Sequence, residues 1–222
     1  MSESAMMRPR IVEVRERVLK QNDLLARELR QRFREAGVRV VSMVSSPGAG
    51  KTMLLEKTLA ILSREYRVAA LVGDLATEND ALRLQRSGAP VKQITTGTTC
   101  HLDASMISAA LIDWNLKGLG ILFIENVGNL VCPSSYDLGE DLRAVLMSTT
   151  EGEDKPLKYP TIFNTADIAV ITKIDLAAAV EFDVKAVHRN IQTVRPGMRV
   201  IEVSAKTGTG LENWLQAVSL KI

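Results

Sequence analysis

The sequence predicts a doubly wound α/β domain on a mainly parallel sheet. Short apolar, β-branched runs alternate with longer stretches of helical periodicity. The runs are near-continuous in apolar residues, as in strands covered on both faces. A chain of 222 residues, 46% apolar and 24% charged, suits one such domain with a full core.

The first element is helical. Ile11, Val14, Val18, Leu25, Leu29 and Phe33 recur mostly at steps of three, four or seven up to Ala36, and Gly37 is a stop signal. The arginines between them form a solvated basic face or a partner-docking surface. Residues 1–37 are therefore expected to be an N-terminal helical segment packed on a domain spanning 38–222. Strands are expected at Val38–Val44, Val68–Val72, Gly120–Val127, Ile168–Thr172 and Val200–Val203, with Val91–Thr95 a weaker candidate. Helices are expected at Thr52–Arg64, Asp80–Ser87, Asp103–Lys117, Asp183–Val194 and Gly210–Val218. Thr209 and Glu212 give the last one a capping-box signature. The charged segment "STTEGEDKPLKYP", Ser148–Pro160, is the expected mobile one, and no internal repeat is present.

Composition excludes several classes. Lys+Arg is 28 against Asp+Glu 26, so no global basic field favours nucleic acid, and aromatics at 4% are too few for base-stacking platforms. No apolar run approaches the ~18 residues of a membrane span. "MSESAMMRPR" has no apolar core of a secretion signal, and Cys100 and Cys132 do not form a disulfide framework. A cytoplasmic protein with reduced thiols is expected.

"SSPGAGKT", Ser45–Thr52, follows the first strand and opens a helix, the context of the P-loop pattern G-x-x-x-x-G-K-[ST]. Ser45 replaces the first glycine. Gly48, Ala49 and Gly50 would turn successive N–H groups toward an anion at a helix N-terminus. Lys51 would reach the β- and γ-phosphates, and the Thr52 hydroxyl would bind Mg²⁺. Asp74 and Glu125, at strand ends, are candidate Mg²⁺ carboxylates, and Asp74 alternatively just closes a turn. Gly128 would bring its N–H to a γ-phosphate and give a rearranging loop freedom in φ. Asp74 is the candidate to position the hydrolytic water, with Asp80 behind it. No arginine finger is identifiable, so slow hydrolysis is expected.

A guanine site needs acceptors for two ring-edge hydrogens. "ITKIDL" supplies Lys173 and Asp175, and "VSAKTGTG" supplies Ser204, Ala205 and Lys206. Asp175 would accept both hydrogens, the Lys173 stem would cover the base, and the Ala205 N–H would donate to the guanine oxygen. Thr172 stands where Asn is commoner, at the cost of one amide. GTP and GDP are thus favoured over adenine nucleotides.

"TTGTTCHLDASM" and "ENVGNLVCPSSYDLGED" carry Cys100, His101 and Cys132 after strands of the sheet. Thiolate and imidazole suit Zn²⁺ or Ni²⁺. Three ligands leave a fourth to water, Asp103 or a second subunit across a two-fold axis. The alternative for Cys100 is a small buried hydrophobe. His188 is expected to be structural or on the surface.

With these segments assembled, the chain resembles the HypB-type hydrogenase maturation GTPases over nearly its whole length. The resemblance rests on "SSPGAGKT", "GDLATENDA", "GTTCHLDA", "ENVGNLVCP", "YPTIFNTAD" and "TKIDL". It implies a P-loop NTPase fold of the MinD and signal-recognition-particle branch. It implies a GTP-dependent homodimer that assists nickel insertion into [NiFe] hydrogenase, with a second nickel metallochaperone and the hydrogenase large subunit as partners. Cys100, His101 and Cys132 would form an interfacial metal site bound to the switch regions, and Asp74 and Asp80 fall in the first switch segment. The N-terminus carries neither the Cys motif nor the His-rich tract many members have. Three rivals remain. A urease accessory nickel GTPase normally carries Cys-Pro-His where this chain has "TCHLD". A cobalamin-enzyme chaperone GTPase needs no thiol–imidazole pair. A regulatory GTPase switch would bind effectors through the basic helix and no metal.

Overall fold

The computed structural model describes residues 10–74 and 79–219, and, of these, not the side chains of 10–15 and 79. The expectations for Ile11, Val14 and the middle of the first switch segment lie outside the described side chains.

Helix α1 (Arg10–Ala36) leads into β1 (Arg39–Ser45), α2 (Lys51–Leu62), β2 (Val68–Asp74), α3 (Asn79–Gln85), β3 (Val91–Thr95) and α4 (Ala104–Ala110). Then come β4 (Ile121–Glu125), β5 (Leu142–Ser148), α5 (Lys155–Lys158), α6 (Pro160–Thr165), β6 (Ile168–Thr172), α7 (Val184–Val194), β7 (Arg199–Val203) and α8 (Leu211–Ser219). The seven strands form one parallel sheet in the order β3-β2-β4-β1-β5-β6-β7. The chain reverses direction around β1, so the crevice at the carboxyl ends of the strands opens beside the loop that β1 feeds.

Alternation along each strand builds two cores. Val41 and Met43 of β1, Phe123 of β4, Leu146 of β5 and Val170 of β6 join one cluster with Leu54, Leu55 and Leu59 of α2 and Trp214 of α8. The opposite face is split. Val40, Leu71, Leu122 and Ile124 pack on α1 and α4, while Val145, Met147, Ala169 and Ile171 pack on α6 and α7. Ala26, Leu29 and Phe33 bring α1 into the first of these, against Ile107 and Ala110 of α4. The near-continuous apolar runs are thus strands covered on both faces.

Four differences from sequence expectation have local causes. The run Leu142–Ser148 is a full strand pairing with both β1 and β6. Its second residue is a charge, Arg143, that is buried because Glu140 and the Tyr136 carbonyl bind its guanidinium at 2.7 and 2.6 Å. The segment expected to be mobile is instead regular. Ser148 and Glu151 form a capping box, Lys155 pairs with Glu151 at 2.8 Å, and α5 follows. Helix α4 ends seven residues short of Lys117, where Lys92 and Arg32 donate to the carbonyls of Ala110 and Leu111. At α8 the Thr209 hydroxyl pairs with Thr207, while Gly210, at φ 69°, stands immediately before the helix.

Candidate nucleotide and metal site

A cavity of about 610 Å³ opens at the carboxyl edge of the sheet. The strand ends converge there because the register aligns Glu125 with Met43 and Val72, and Thr172 with Ser148 and Val203. Gly48, Gly50, Lys51, Thr52, Asp74, Asp80, Glu125, Gly128, Lys173, Asp175, Ser204, Ala205 and Lys206 all line it. Of the nucleotide residues expected from sequence, Ala49 alone does not. Its side chain is buried, and its carbonyl accepts a hydrogen bond from the Thr172 hydroxyl at 2.6 Å.

The loop after β1 has the geometry of an anion cradle. Gly48 and Gly50 have φ of 73° and 89°, in the left-handed region where a Cβ is strained. Gly50 is the N-cap of α2, so the first N–H groups of that helix face the cavity with no side-chain cap. Lys51 is buried, and its Nζ donates to the Ser45 hydroxyl at 2.9 Å. Ser45, in the place of the pattern's first glycine, thus holds the lysine. Burial lowers the Lys51 pKa, with Glu125 opposing that shift.

Thr52 donates to Glu125 Oε1 at 2.7 Å, and Glu125 Oε2 is buried with no hydrogen-bond partner. Burial raises the Glu125 carboxyl from 4.5 to about 7, with the Lys51 charge opposing. A buried, half-satisfied carboxylate beside a threonine hydroxyl fits a hard divalent cation such as Mg²⁺. Asp74 ends β2 and Asp80 opens α3 on the same wall. Arg83 of α3 lines the cavity too, paired with Glu56 of α2 at 2.8 Å. Sequence reading passed over Arg83, because a lone helical arginine carries no motif.

The base end is tied to the phosphate end. Lys173, at φ 55°, extends across the loop, and its Nζ donates to the Gly48 carbonyl at 2.7 Å. The Thr172 hydroxyl bridges the Ala49 and Met147 carbonyls at 2.6 and 3.1 Å. Threonine at this position therefore ties the base loop to the phosphate loop. At Gly128 the structure adds a steric requirement. The residue's φ is not in the left-handed region; what requires glycine is close approach, since a Cβ there would lie 2.9 Å from Pro47 Cα.

Beside this wall lies a second cluster. One ligand atom each from Cys100, His101 and Cys132 can be chosen so that all three lie within 4.8 Å of one another. The two sulfurs are 2.8 Å apart and both thiols are free. Cys100 is half-buried rather than a core residue, and its pKa is raised by the Cys132 thiol and by burial. His101 stacks on Tyr136 with ring centroids 4.0 Å apart, and burial lowers its pKa. Sequence reading missed Tyr136, the extended residue that ends the short 3-10 turn opened by Cys132. Two thiols and an imidazole in contact form a soft donor set that fits Ni²⁺ or Zn²⁺. Among the described residues this is the one group of three such ligands. His188, as expected, is partly exposed and pairs with Glu202.

The cluster and the cavity share backbone. Val127 and Gly128 line the cavity, and Cys132 follows four residues later. The Asn126 side-chain oxygen accepts from the N–H groups of Leu102 and Val127, each at 2.9 Å. Asn129 donates to the Cys100 carbonyl at 3.2 Å. Leu102 packs over Gly73 so closely that a Cβ on Gly73 would meet it at 2.7 Å.

Fold and site together define a P-loop NTPase whose nucleotide cavity adjoins a thiol–imidazole cluster. The family model described as CobW/HypB/UreG, nucleotide-binding domain, matches residues 39–202. The hydrogenase maturation factor HypB of Azotobacter chroococcum is 47% identical over 208 residues, 93% of this chain and 68% of that protein. The solved structure of HypB from Helicobacter pylori in complex with nickel superposes with a TM-score of 0.84 at 43% identity, covering 89% of this chain and 93% of the other. The chain belongs to the CobW/HypB/UreG family and, within it, to the HypB hydrogenase maturation factors. The fold alone extends to the signal recognition particle 54 kDa protein of Aeropyrum pernix, at 16% identity and a TM-score of 0.59, over 82% of this chain and 46% of that one. No described helix is long and apolar enough to cross a membrane.

Proposed function

We propose that this protein is a GTP-hydrolysing metallochaperone that assists nickel insertion into [NiFe] hydrogenase, and that its nucleotide state governs dimerisation and metal release. One observation carries the proposal. The ligand atoms of Cys100, His101 and Cys132 cluster on two segments that Asn126 ties to the wall of the nucleotide cavity. A change at that wall is therefore transmitted to the donor set through one hydrogen-bonded residue.

Guanine is held by Asp175, Lys173 and the Ser204–Lys206 loop, and the phosphates by the N–H groups of Gly48 to Thr52. On phosphate entry the Lys51 ammonium exchanges the Ser45 hydroxyl for phosphate oxygen. Thr52, Glu125 and Asp74 are the residues that would hold magnesium, which supplies charge neutralisation at the β- and γ-phosphates when bound. Glu125 must lose its proton to take part. Asp74 orients the attacking water, with Asp80 behind it. The Gly128 N–H meets the γ-phosphate, so loss of that group frees the segment leading to Cys132. Two subunits in the GTP-bound state bring their thiols together and complete the coordination number, with nickel as cargo. A second nickel metallochaperone and the hydrogenase large subunit are the partners. The adjoining thiol–imidazole cluster favours this reading over a metal-free regulatory switch.

The test is Ni²⁺ and Zn²⁺ titration of the protein loaded with GDP or with a non-hydrolysable GTP analogue, alongside sedimentation. The two loaded forms are expected to differ in metal affinity by about 5- to 150-fold, and only the triphosphate form to dimerise. Equal affinity in both forms overturns the coupling. In Cys100→Ala the difference is expected to vanish while GTP hydrolysis persists.

A further inference from the structure

Helix α1 supplies none of the cluster's ligands, yet one of its polar side chains points inward. Asn22 is 5% exposed. Its Nδ2 donates to the Asp137 carbonyl and its Oδ1 accepts from the Ala104 N–H, each at 2.9 Å. These partners lie 115 and 82 residues away in sequence. They also stand just beyond the two ligand segments: Ala104 comes three residues after His101, and Asp137 five after Cys132.

Capping of α4 does not require this contact, because Asp103 already accepts from the Met106 N–H at 2.9 Å. Asn22 adds a cross-link between segments that also meet through Asn126, Asn129, the ligands themselves and the shared apolar cluster of Leu102, Ala104 and Leu138. Helix α1 grips the Cys132 side at further points. Arg30 pairs with Asp137 at 2.7 Å, and Gly139, at φ 81°, lies so close that a Cβ would meet the Ala26 carbonyl at 2.9 Å. The helix is itself anchored by Ala26, Leu29 and Phe33. A rigid rod thus carries one carboxamide that contacts both ligand segments.

We propose that Asn22 is a positioning residue of the thiol–imidazole site, its carboxamide setting the separation of the Cys100–His101 and Cys132 segments. This rests on the metal-binding reading above. Outer partners that orient ligating side chains typically contribute about 10- to 100-fold in metal affinity. Removing the carboxamide leaves a buried N–H and a buried carbonyl unpaired, so the segments shift to find new partners.

The experiment is Ni²⁺ titration of the full-length, GDP-loaded protein against a competing chelator, read by thiolate-to-metal charge-transfer absorption. Asn22→Ala is expected to bind Ni²⁺ about tenfold more weakly or worse, with an altered charge-transfer band and GDP affinity within about twofold of the original. Asn22→Asp keeps the acceptor for Ala104 but loses the donor to Asp137, and its affinity is expected between the two. Unchanged affinity and spectrum in folded Asn22→Ala overturns the proposal, as does a parallel loss of GDP affinity, which marks a general structural defect. If Asn22→Ala does not fold, Asn22→Asp decides on the same terms. If the unaltered protein takes up no Ni²⁺, the metal reading itself fails; if it binds and the variants match it, only the role of Asn22 fails.

Discussion

The nucleotide cavity and the thiol–imidazole cluster are neighbours built on different plans. The cavity is wired internally. Lys51 is held by Ser45, Thr52 by Glu125, Thr172 by Ala49 and Met147, and Lys173 by Gly48. Each tie starts or ends at a strand end or the loop that strand feeds, so the sheet sets the geometry before any ligand arrives. The cluster is not built on strand ends. Its ligands sit on connections beyond β3 and β4, where the contacts are sulfur to sulfur, ring to ring and backbone to asparagine. A site on strand ends is held by the sheet, and a site on tied loops has more freedom to adjust, as the proposed release of a bound metal would require.

Variants confined to one region sharpen that contrast, and variants that cross it break it. The largest effect is expected from Lys51→Ala. GTP hydrolysis should fall by at least about a hundredfold with Ni²⁺ affinity of the GDP form unchanged. A matching loss of metal binding would mean that the two regions share one frame. Cys132→Ala is the mirror experiment: calorimetric Ni²⁺ affinity should drop at least about a hundredfold, more than removal of an outer partner costs. GDP binding should persist.

Glu125 tests how far the cavity is prepared for its ligand. Burial raises its carboxyl to about 7, so the folded state keeps a proton that the unfolded chain releases near 4.5. The stability this contributes is full below pH ~4.5 and is lost as pH rises through about 7. Thermal and denaturant unfolding from pH 4.5 to 8 in chelator should show that decline, on the order of 3 kcal/mol, and Glu125→Gln should abolish it. Magnesium should reverse it by favouring the ionised form. A flat profile in the unaltered protein would show that the cavity carries no such penalty. The smallest effect is expected from Thr172→Val. Losing one buried hydroxyl should destabilise the fold by about 1–2 kcal/mol and weaken GDP several-fold, by denaturant melts and calorimetry, leaving Ni²⁺ untouched.

Much of this molecule is legible in its residues. The phosphate loop, the base loops and the donor set are short motifs in which a few residue types must stand at set spacings, and the structure brings each group together. The strand Leu142–Ser148 was not legible, because the arginine at its second position reads as solvent-exposed until Glu140 and the Tyr136 carbonyl are seen to bury it. Ala49 illustrates the converse: it lies inside the phosphate-loop motif, yet its carbonyl serves Thr172.

By itself, then, the order of apolar runs and glycine-rich turns determined the fold class and the edge at which its loops collect, and short motifs marked the candidate ligand-binding residues. Periodicity and local conformational preference act over a few residues and survive in a linear text. Tertiary structure alone decided that Ser45 holds Lys51, that Pro47 demands a glycine at Gly128, and that Asn22 spans to both ligand segments. Those are contacts between groups far apart in the chain or set by the loop's path in space, and they exist only once burial has forced each polar atom to find whatever partner the fold places beside it.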